Sequence, residues 1–591
     1  MKYDRKKESD PLKTVEAAGS ILSAHNIFTT EIWKNNGNDA RSYSLQLLAP
    51  ELGVSTNGKG VTRRYALASA YGEFMERLQN MILLPVEKFS ADDTQTYGFC
   101  YFPDEETCSV REIADATDPL SESIFRDFYK GQFLFGIEKD KRLAVIHAYL
   151  DSMKNADPEK LITWPFYSVK NHNTVHIWQR FVAYLQGSNG MCAGNTPEEA
   201  IVQGMSEIFE RYANQEIMIS DIIPPDIPEN EYRQYDDISA MIDEIEAMGN
   251  YSISFKDCSL GRGLPVCAAV LIDRTHQKYR ISFGAHPIFA IAAERCLTEV
   301  LQGFDPADEK DAVRSMVGVK DTDILPSLNV HNQQANGRGR FPRSFFYGEP
   351  SYEHKAFPDR SGLNNKELFD YCMELALELS EDVLIRDVSY LGFPAYYIVV
   401  PGISYLPADR LNVSLISATE TLGNLSDYRD SSDITIMKRL IIACNRQEAS
   451  SFRFDIGVPV WKLKIAILLT LDKKYEAMEA IKRTDAWILS DAEKKEISAL
   501  TEALTLLNDG KSLSEAACYI REFYSPSMWE KLEEDWFCAS PFQKLTAEIK
   551  PVKDESRIEN QRQLYLDLKK SFLENRIRQE DLSKLFQEKR N

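Results

Sequence analysis

The chain has 591 residues, with 69 Lys and Arg against 90 Asp and Glu, which gives a formal charge of −21. Its 43% hydrophobic and 27% charged residues are ordinary globular values, which excludes a disordered chain, a collagen-like fibre and a small disulfide scaffold. The acid surplus argues against a protein coated for nucleic acid and predicts no direct DNA binding. At about 150 residues per domain, the length implies more than one domain. No stretch approaches the ~18 apolar residues of a membrane span, and the N-terminal MKYDRKKESDPLK has no apolar run behind its charges. The ten cysteines include no C-x-x-C pair, so a cytoplasmic protein with reduced thiols is expected. His172 and His176 form the single H-x-x-x-H spacing; in a polar, hairpin-like stretch they read as solvated loop histidines rather than a zinc site.

Taken in chain order, β-branched and aromatic runs predict strands at Ser42–Leu48, Leu143–Tyr149, Thr174–Ile177, Val266–Ile272 and Ala395–Val400. Helical spacing predicts helices at Thr62–Gln79, Pro197–Ile217, Ala290–Gln302 and Lys366–Leu379. The layout is α/β or α+β. Asp305–Ser361, rich in Pro, Gly and Asn, reads as loops or an insertion. Beyond about residue 430 the strand signal ends, and 468–483 and 504–523 each read as a helix end, a polar turn and an amphipathic helix. Their equivalent residues Ile481 and Ile520 lie 39 apart, near the ~34-residue tetratricopeptide period; two unrelated helical hairpins are the alternative. Ser556–Lys589 is a highly charged amphipathic helix or pair of helices.

Neither G-x-x-x-x-G-K-[ST] nor a G-x-G-x-x-G after a strand is present. Asn57–Gly60 and Gly337–Arg340 are Gly-basic turns able to approach an anion, and Arg338–Arg343 reads as a solvated basic loop. Three helical stripes are more informative. They carry Ser69, Glu73, Glu76 and Arg77; Glu199, Gln203, Glu207, Glu210 and Arg211; and Arg295, Glu299 and Gln302, at spacings of three and four. Singly, such a stripe is an ordinary surface ion pair. Three alike, interleaved with Ala66, Ala70, Gly204 and Ala292, suggest closely packed helices with buried carboxylates. Six glutamates against three arginines would leave a charge near −3, a deficit that hard divalent cations such as Mg²⁺ would offset, with the phosphate oxygens of a nucleotide completing their coordination. Ahead of the second stripe, Gly187–Gly190 and Ala193–Pro197 are small and polar, ending in Thr196 as N-cap and Pro197 at the first helical position.

At these residues the sequence resembles the YcaO family. The matching segments are G-K-G at 58–60 with A-x-x-S-A-x-x-E-x-x-E-R at 66–77, S-N-G-x-x-A-G-N-T-x-x-E-A at 188–200 with E-x-x-E-R at 207–211, and S-F-G-A-H-P at 282–287 with E-R-x-x-x-E at 294–299 and L-Q-G at 301–303. The resemblance implies an ATP-binding α/β fold without a P-loop, spanning 55–415 with 1–54 as its N-terminal segment. An all-α tetratricopeptide-like domain at 430–591, through which the chain would form a homodimer, would follow. It implies Glu73, Glu76, Glu199, Glu207, Glu210 and Glu299 as Mg²⁺ ligands. Lys7, Ser69, Cys192, Asn195, Gln203, Arg211 and Arg295 would contact ATP, and Glu73, Glu207 and Arg295 would be catalytic. The implied chemistry is ATP hydrolysis or phosphoryl transfer to a peptide-backbone amide. Close relatives carry Ser where Cys192 stands, and a thiol is the weaker donor. Cyclodehydratase members end in a proline-rich tail, whereas no proline follows Pro551 here. The resemblance therefore points to the subgroup with a tetratricopeptide-like C-terminal domain and implies an accessory role to a RimO-type enzyme in β-methylthiolation of a small-subunit ribosomal protein; a peptide-backbone amide-activating enzyme, cyclodehydratase or thioamide-forming, and a non-catalytic ATP-binding scaffold are the alternatives.

Overall fold

A computed structural model of the chain describes residues 1–34, 41–86, 97–116, 159–275, 277–301, 339–405, 425–428, 431–449, 458–482, 490–547 and 555–590, with positions 89, 121, 125, 142, 143, 146, 157, 329, 330, 333, 334, 337 and 422 between those stretches. The chain divides into two units. The first comprises Met1–His147, Asn155–Leu411 and Asp554–Asn591; the second comprises Ala148–Lys154 and Asn412–Lys553. The second is thus an excursion from which the chain returns.

The first unit is mixed α/β, built on three antiparallel sheets. One sheet has the order β1 (Thr30–Lys34), β2 (Tyr43–Ala49), β3 (Val54–Gly60), with Tyr43 opposite Gly60 and Ser44 opposite Lys59. The largest sheet runs β4 (Glu106–Cys108), β5 (Leu161–Ser168), β11 (Leu384–Asp387), β12 (Ala395–Val399), β7 (Met191–Ala193), with β6 (Asn173–Trp178) paired to β5. The third is a meander of β8 (Tyr251–Asp257), β9 (Val266–Asp273) and β10 (Lys278–Ala285). Strand β9 is buried on both faces, which accounts for its continuous apolar run.

Helices tie the sheets together. Helix α1 (Pro11–Ala24) lies against α2 (Arg63–Gln79), which packs on β2 and β3 and also meets β7 and β12. Helix α3 (Pro197–Ile219) runs between β7 and β12 on one side and β9 and β10 on the other, buried at Ala200, Ile201, Val202, Met205, Ile208, Phe209 and Ala213. Its polar stripe is what that burial leaves over. Helix α4 (Asp236–Ala247) and helix α5 (Phe289–Val300) cover the other face of the β8–β10 meander, joining Ile238, Ile242 and Ile245 to Cys267, Ala269, Leu271 and Leu297. Helix α6 (Asn365–Leu379), started by an Asn364–Glu367 capping box, packs on α3.

The second unit is helical: α7 (Ile434–Ala449), α8 (Val460–Thr470), α9 (Lys474–Lys482), α10 (Asp491–Asn508), α11 (Leu513–Phe523), α12 (Pro526–Asp535) and α13 (Pro541–Ala547). Ile481 and Ile520 share its core with Trp461, Leu500, Trp529 and Trp536. Capping boxes at Ser490 and Ser512 start α10 and α11, and Gly510 turns between them at φ +83°.

Several expectations change. Residues 555–590 do not extend the helical unit. Helix α14 (Glu555–Glu574) and the stretch Gln579–Arg590 belong to the first unit, where the Tyr565 hydroxyl donates to Cys100 O at 2.7 Å and Lys569 Nζ donates to Phe99 O at 2.6 Å. Asn57–Gly60 is not a turn but the end of β3. Leu143 and Ile146, expected in a strand, are helical, and 144, 145 and 147–149 lie outside the described residues, as do Gln302 and Arg338.

Candidate functional site

Glycine brings the three striped helices close to their strands. A Cβ on Gly58 of β3 would stand 2.1 Å from Ala66 O of α2, and one on Gly284 of β10 would stand 2.4 Å from Ala292 O of α5. On α3 the relation is reversed, and a Cβ on Gly204 would meet Cys192 Sγ of β7 at 2.9 Å. Thr62 and Thr196 cap α2 and α3 by accepting the N–H groups of Tyr65 and Glu199.

The stripes converge. On α2, Arg77 holds Glu76 (Nε to Oε1, 3.2 Å) and Glu73 (Nη2 to Oε1, 3.6 Å). On α3, Arg211 holds Glu207 at 2.8 Å. On α5, the Arg295 guanidinium donates to Ala285 O at 2.8 Å and to Gln203 Oε1 of α3. Lys59 of β3 pairs with Glu299 of α5, and its ammonium also feels Glu210, Glu207 and Glu73. Glu207 acts in turn on Glu73, Glu76, Arg77 and Arg295.

Glu199 sits beside this group in a nest of donors. It is 6% exposed and accepts from Asn195 Nδ2 (3.1 and 3.0 Å), Lys7 Nζ (3.1 Å) and Glu8 N (3.0 Å). Asn195 is fixed from behind by the Thr14 hydroxyl at 2.7 Å. The N-terminal segment is held along its length: Tyr3 and Arg5 bind Glu294, and the Asn365 side chain donates to Lys6 O and Glu8.

The electrostatics follow from packing acid on acid. Burial pushes Glu210 up to about 7, with Glu207 adding to the rise against the pull of Lys59. Burial likewise raises Glu73, and raises Glu76 well above the carboxylate range, with Glu207 opposing ionisation of both. Burial draws Lys59 down to about 8, although Glu210 supports its charge. The expected deficit near −3 shrinks, because Lys7 and Lys59 join Arg77, Arg211 and Arg295 against the six glutamates and leave one negative charge over.

Among the described residues no three His, Cys, Asp or Glu side chains converge as a single metal cluster. Mg²⁺ takes one or two carboxylates and fills its octahedron with phosphate oxygens and water. The donors are hard oxygens crowded enough to resist ionisation, and added divalent cations would relieve that crowding.

Not every expected residue joins the site. The Cys192 thiol is fully buried and directed to Tyr396 O at 3.8 Å, in the core beneath Gly204, so it has no surface to offer a nucleotide. Ser69, exposed on α2 one turn before Glu73, stays a candidate nucleotide contact. His172 bonds the Tyr167 hydroxyl at 3.1 Å and His176 approaches Glu106 at 3.5 Å, separate partners that make no zinc site. Lys59, which joins the group, was not among the expected residues. Lys59 had a signal in its flanking glycines: alternation turns Gly58 and Gly60 toward α2 and Lys59 the other way.

A family model described as YcaO cyclodehydratase, ATP- and Mg²⁺-binding, matches residues 57–404. The chain belongs to the YcaO family. The ATP and Mg²⁺ of that family are therefore the cofactors of this YcaO domain. The chain is 32% identical over 359 residues, 60% of its own length and 58% of the relative's, to the ribosomal protein S12 methylthiotransferase accessory factor YcaO of Escherichia coli strain K12. It is also 32% identical over 376 residues to an uncharacterized protein of Haemophilus influenzae, with 64% of this chain and 60% of that one covered. It spans less than two thirds of either relative. Among solved structures, a heterocyclase in complex with substrate and cofactor matches at 17% identity and a TM-score of 0.47, covering 68% of this chain and 53% of that one. The YcaO from Methanopyrus kandleri bound with AMPPCP and Mg²⁺ matches at 17% identity and a TM-score of 0.40, covering 67% and 92%. Among the described residues no helix is long and apolar enough to cross a membrane.

Proposed function

We propose that this YcaO protein is an ATP- and Mg²⁺-dependent accessory factor that supports β-methylthiolation of a small-subunit ribosomal protein by a RimO-type partner. The observation that carries nucleotide use is the convergence of Glu73, Glu76, Glu207, Glu210 and Glu299 from three helices around Lys59, Arg77, Arg211 and Arg295. The accessory role rests on the Escherichia coli relative. When bound, Mg²⁺ and ATP supply an electrophilic phosphorus whose charge needs compensation. Glu73, Glu76, Glu207, Glu210 and Glu299 would hold the cations. Lys7, which neutralises Glu199 in the structure, would be drawn to phosphate oxygens, while Arg295, oriented by Gln203 and Ala285 O, would stabilise charge on the transferring group. Self-association through the helical unit belongs to the same reading.

A second reading, ATP-dependent activation of a peptide-backbone amide by the protein itself, is favoured by the family description as a cyclodehydratase. Two measurements separate the possibilities. Purified protein with Mg²⁺ should hydrolyse ATP, and Glu73→Gln or Glu207→Gln should lower turnover by ~10²-fold or more without unfolding it, the order lost with one electrostatic contact to a transition state. Deleting the gene should reduce the methylthio population of the ribosomal protein by mass spectrometry. An unchanged population with ATP turnover intact would remove the accessory role and leave amide activation.

A further inference from the structure

His286 ends the S-F-G-A-H-P segment just ahead of α5, and the site as described so far gives it no part. It is 6% exposed. Its Nδ1 accepts the backbone N–H of Ile288 at 3.0 Å, and its own backbone N–H donates to Pro265 O at 3.1 Å, so ring and backbone are both tethered. An Nδ1 that accepts fixes the proton of a neutral imidazole on Nε2. Among the described residues no partner is found for that Nε2–H, and Nε2 is not one of the buried unpartnered atoms, so it reaches solvent from an otherwise buried ring. A donor that is held in place, within reach of solvent and given no protein acceptor calls for an explanation.

The surroundings supply one. Burial holds the imidazole well below its usual range, and the nearby charges of Arg295 and Lys7 lower it further, so the ring stays neutral and keeps its single donor. Arg295 spends its hydrogen bonds on two neutral oxygens, Ala285 O and Gln203 Oε1. Lys7 reaches Glu199 from the N-terminal segment. One side of the site is therefore rich in carboxylates, and the corner at Lys7, Arg295 and His286 is rich in N–H donors. A phosphate group bridged to metal fits between such sides: its metal-bound oxygens face the glutamates and its free oxygens face the donors.

We propose that His286 is a nucleotide-binding residue whose Nε2–H donates to an oxygen of the terminal phosphate of ATP, as an uncharged third donor beside Lys7 and Arg295. This rests on the ATP reading of the site. The ring keeps its proton throughout, because its Nδ1 is occupied by Ile288 N–H and an imidazole does not give up its last proton near neutral pH.

The test is equilibrium binding by calorimetry of AMPPNP·Mg²⁺ and ADP·Mg²⁺ to the full-length protein and to His286→Ala and His286→Gln, since a glutamine amide can place an N–H near the position of Nε2. The expected result is ~10-fold weaker AMPPNP binding by His286→Ala, the size of one hydrogen bond. ADP affinity should be unchanged, and most of the loss should be recovered by His286→Gln. In long-range ¹⁵N spectra of the wild type, the Nε2–H tautomer should be present before ligand, and its proton should move downfield with AMPPNP but not with ADP. Equal losses for the two nucleotides, no loss at all, or an Nε2 resonance indifferent to AMPPNP would overturn the proposal while leaving the ATP reading in place. A wild type that binds neither nucleotide would overturn that reading and this proposal with it.

Discussion

Lys59 and His286 show how single residues are tuned by what surrounds them. Lys59 is pulled down to about 8 by burial while Glu210 and Glu207 support its charge, so it stays positive in nucleotide-free protein at neutral pH. His286 lies at the opposite pole, neutral because burial and two cations oppose its protonation. The sign of its pH effect follows. Its folded pKa lies below the unfolded value of 6.5, so the unfolded chain takes up a proton first as pH falls. Its contribution to stability is full above 6.5 and is lost as pH falls toward the depressed folded value. Unfolding titrations of wild type and His286→Gln at pH 7.5 and pH 5 should therefore show the stability gap shift against the wild type at pH 5. A gap that stays constant across that window would contradict the burial of a neutral imidazole there.

Among the elements, the helices that carry the site were the most legible. α2, α3, α5 and α6 begin and end within a few residues of the expected spans, because α3, α5 and α6 have a clear apolar period and a side chain caps the start of α2, α3 and α6. Strands were harder to see. β9 and β12 stood out as buried runs, but β3 did not, because Asn57-Gly58-Lys59-Gly60 has the composition of a turn; it is a strand through its pairing with β2, and α2 lies so close that no side chain fits at Gly58. The charges of the site were half visible. Helical spacing found the six glutamates, whereas Lys7 and Lys59, distant in sequence, could be paired with Glu199 and Glu299 only by the fold. The close approach predicts its own test: in Gly58→Ala the new Cβ would stand 2.1 Å from Ala66 O and 2.6 Å from Ala70 N, main-chain atoms that cannot rotate away. Denaturant titration should show a loss of about 1–3 kcal/mol, the usual cost of overpacking, together with weakened Mg·AMPPNP binding as α2 carries Glu73 and Glu76 outward. Unchanged stability would show that α2 and β3 are less tightly packed.

For the whole molecule, the informative fact is that the chain leaves the ATP-binding unit at about residue 411 and comes back at 554. The returning helix is anchored by a buried lysine. Lys569 donates to Phe99 O and lies 4.5 Å from the Tyr565 ring, 4.9 Å from Phe99 and 5.4 Å from Tyr97. Beyond it, the Gln579 side chain donates to Asp387 O and Asp104 and accepts from Asp387 N, and Phe586 stacks on Tyr167. Truncating the chain before residue 554 should therefore destabilise the nucleotide-binding unit and expose it to limited proteolysis. If the last helix belonged to the helical unit, as the family resemblance implied, nucleotide binding would survive the truncation unchanged. The net charge of −21 said nothing of this; the placement of a few acids, and of the cations brought to them, carries the proposed function.

The most direct test of that placement is calorimetric binding of AMPPNP to the full chain with and without Mg²⁺, for wild type and for Glu73→Gln and Glu207→Gln. The wild type should bind only when Mg²⁺ is present, and each glutamine variant should lose at least ~10-fold in affinity while remaining folded. Binding that is absent from the wild type, or equally tight in the variants and indifferent to Mg²⁺, would contradict the assignment of these glutamates to the metal–nucleotide site.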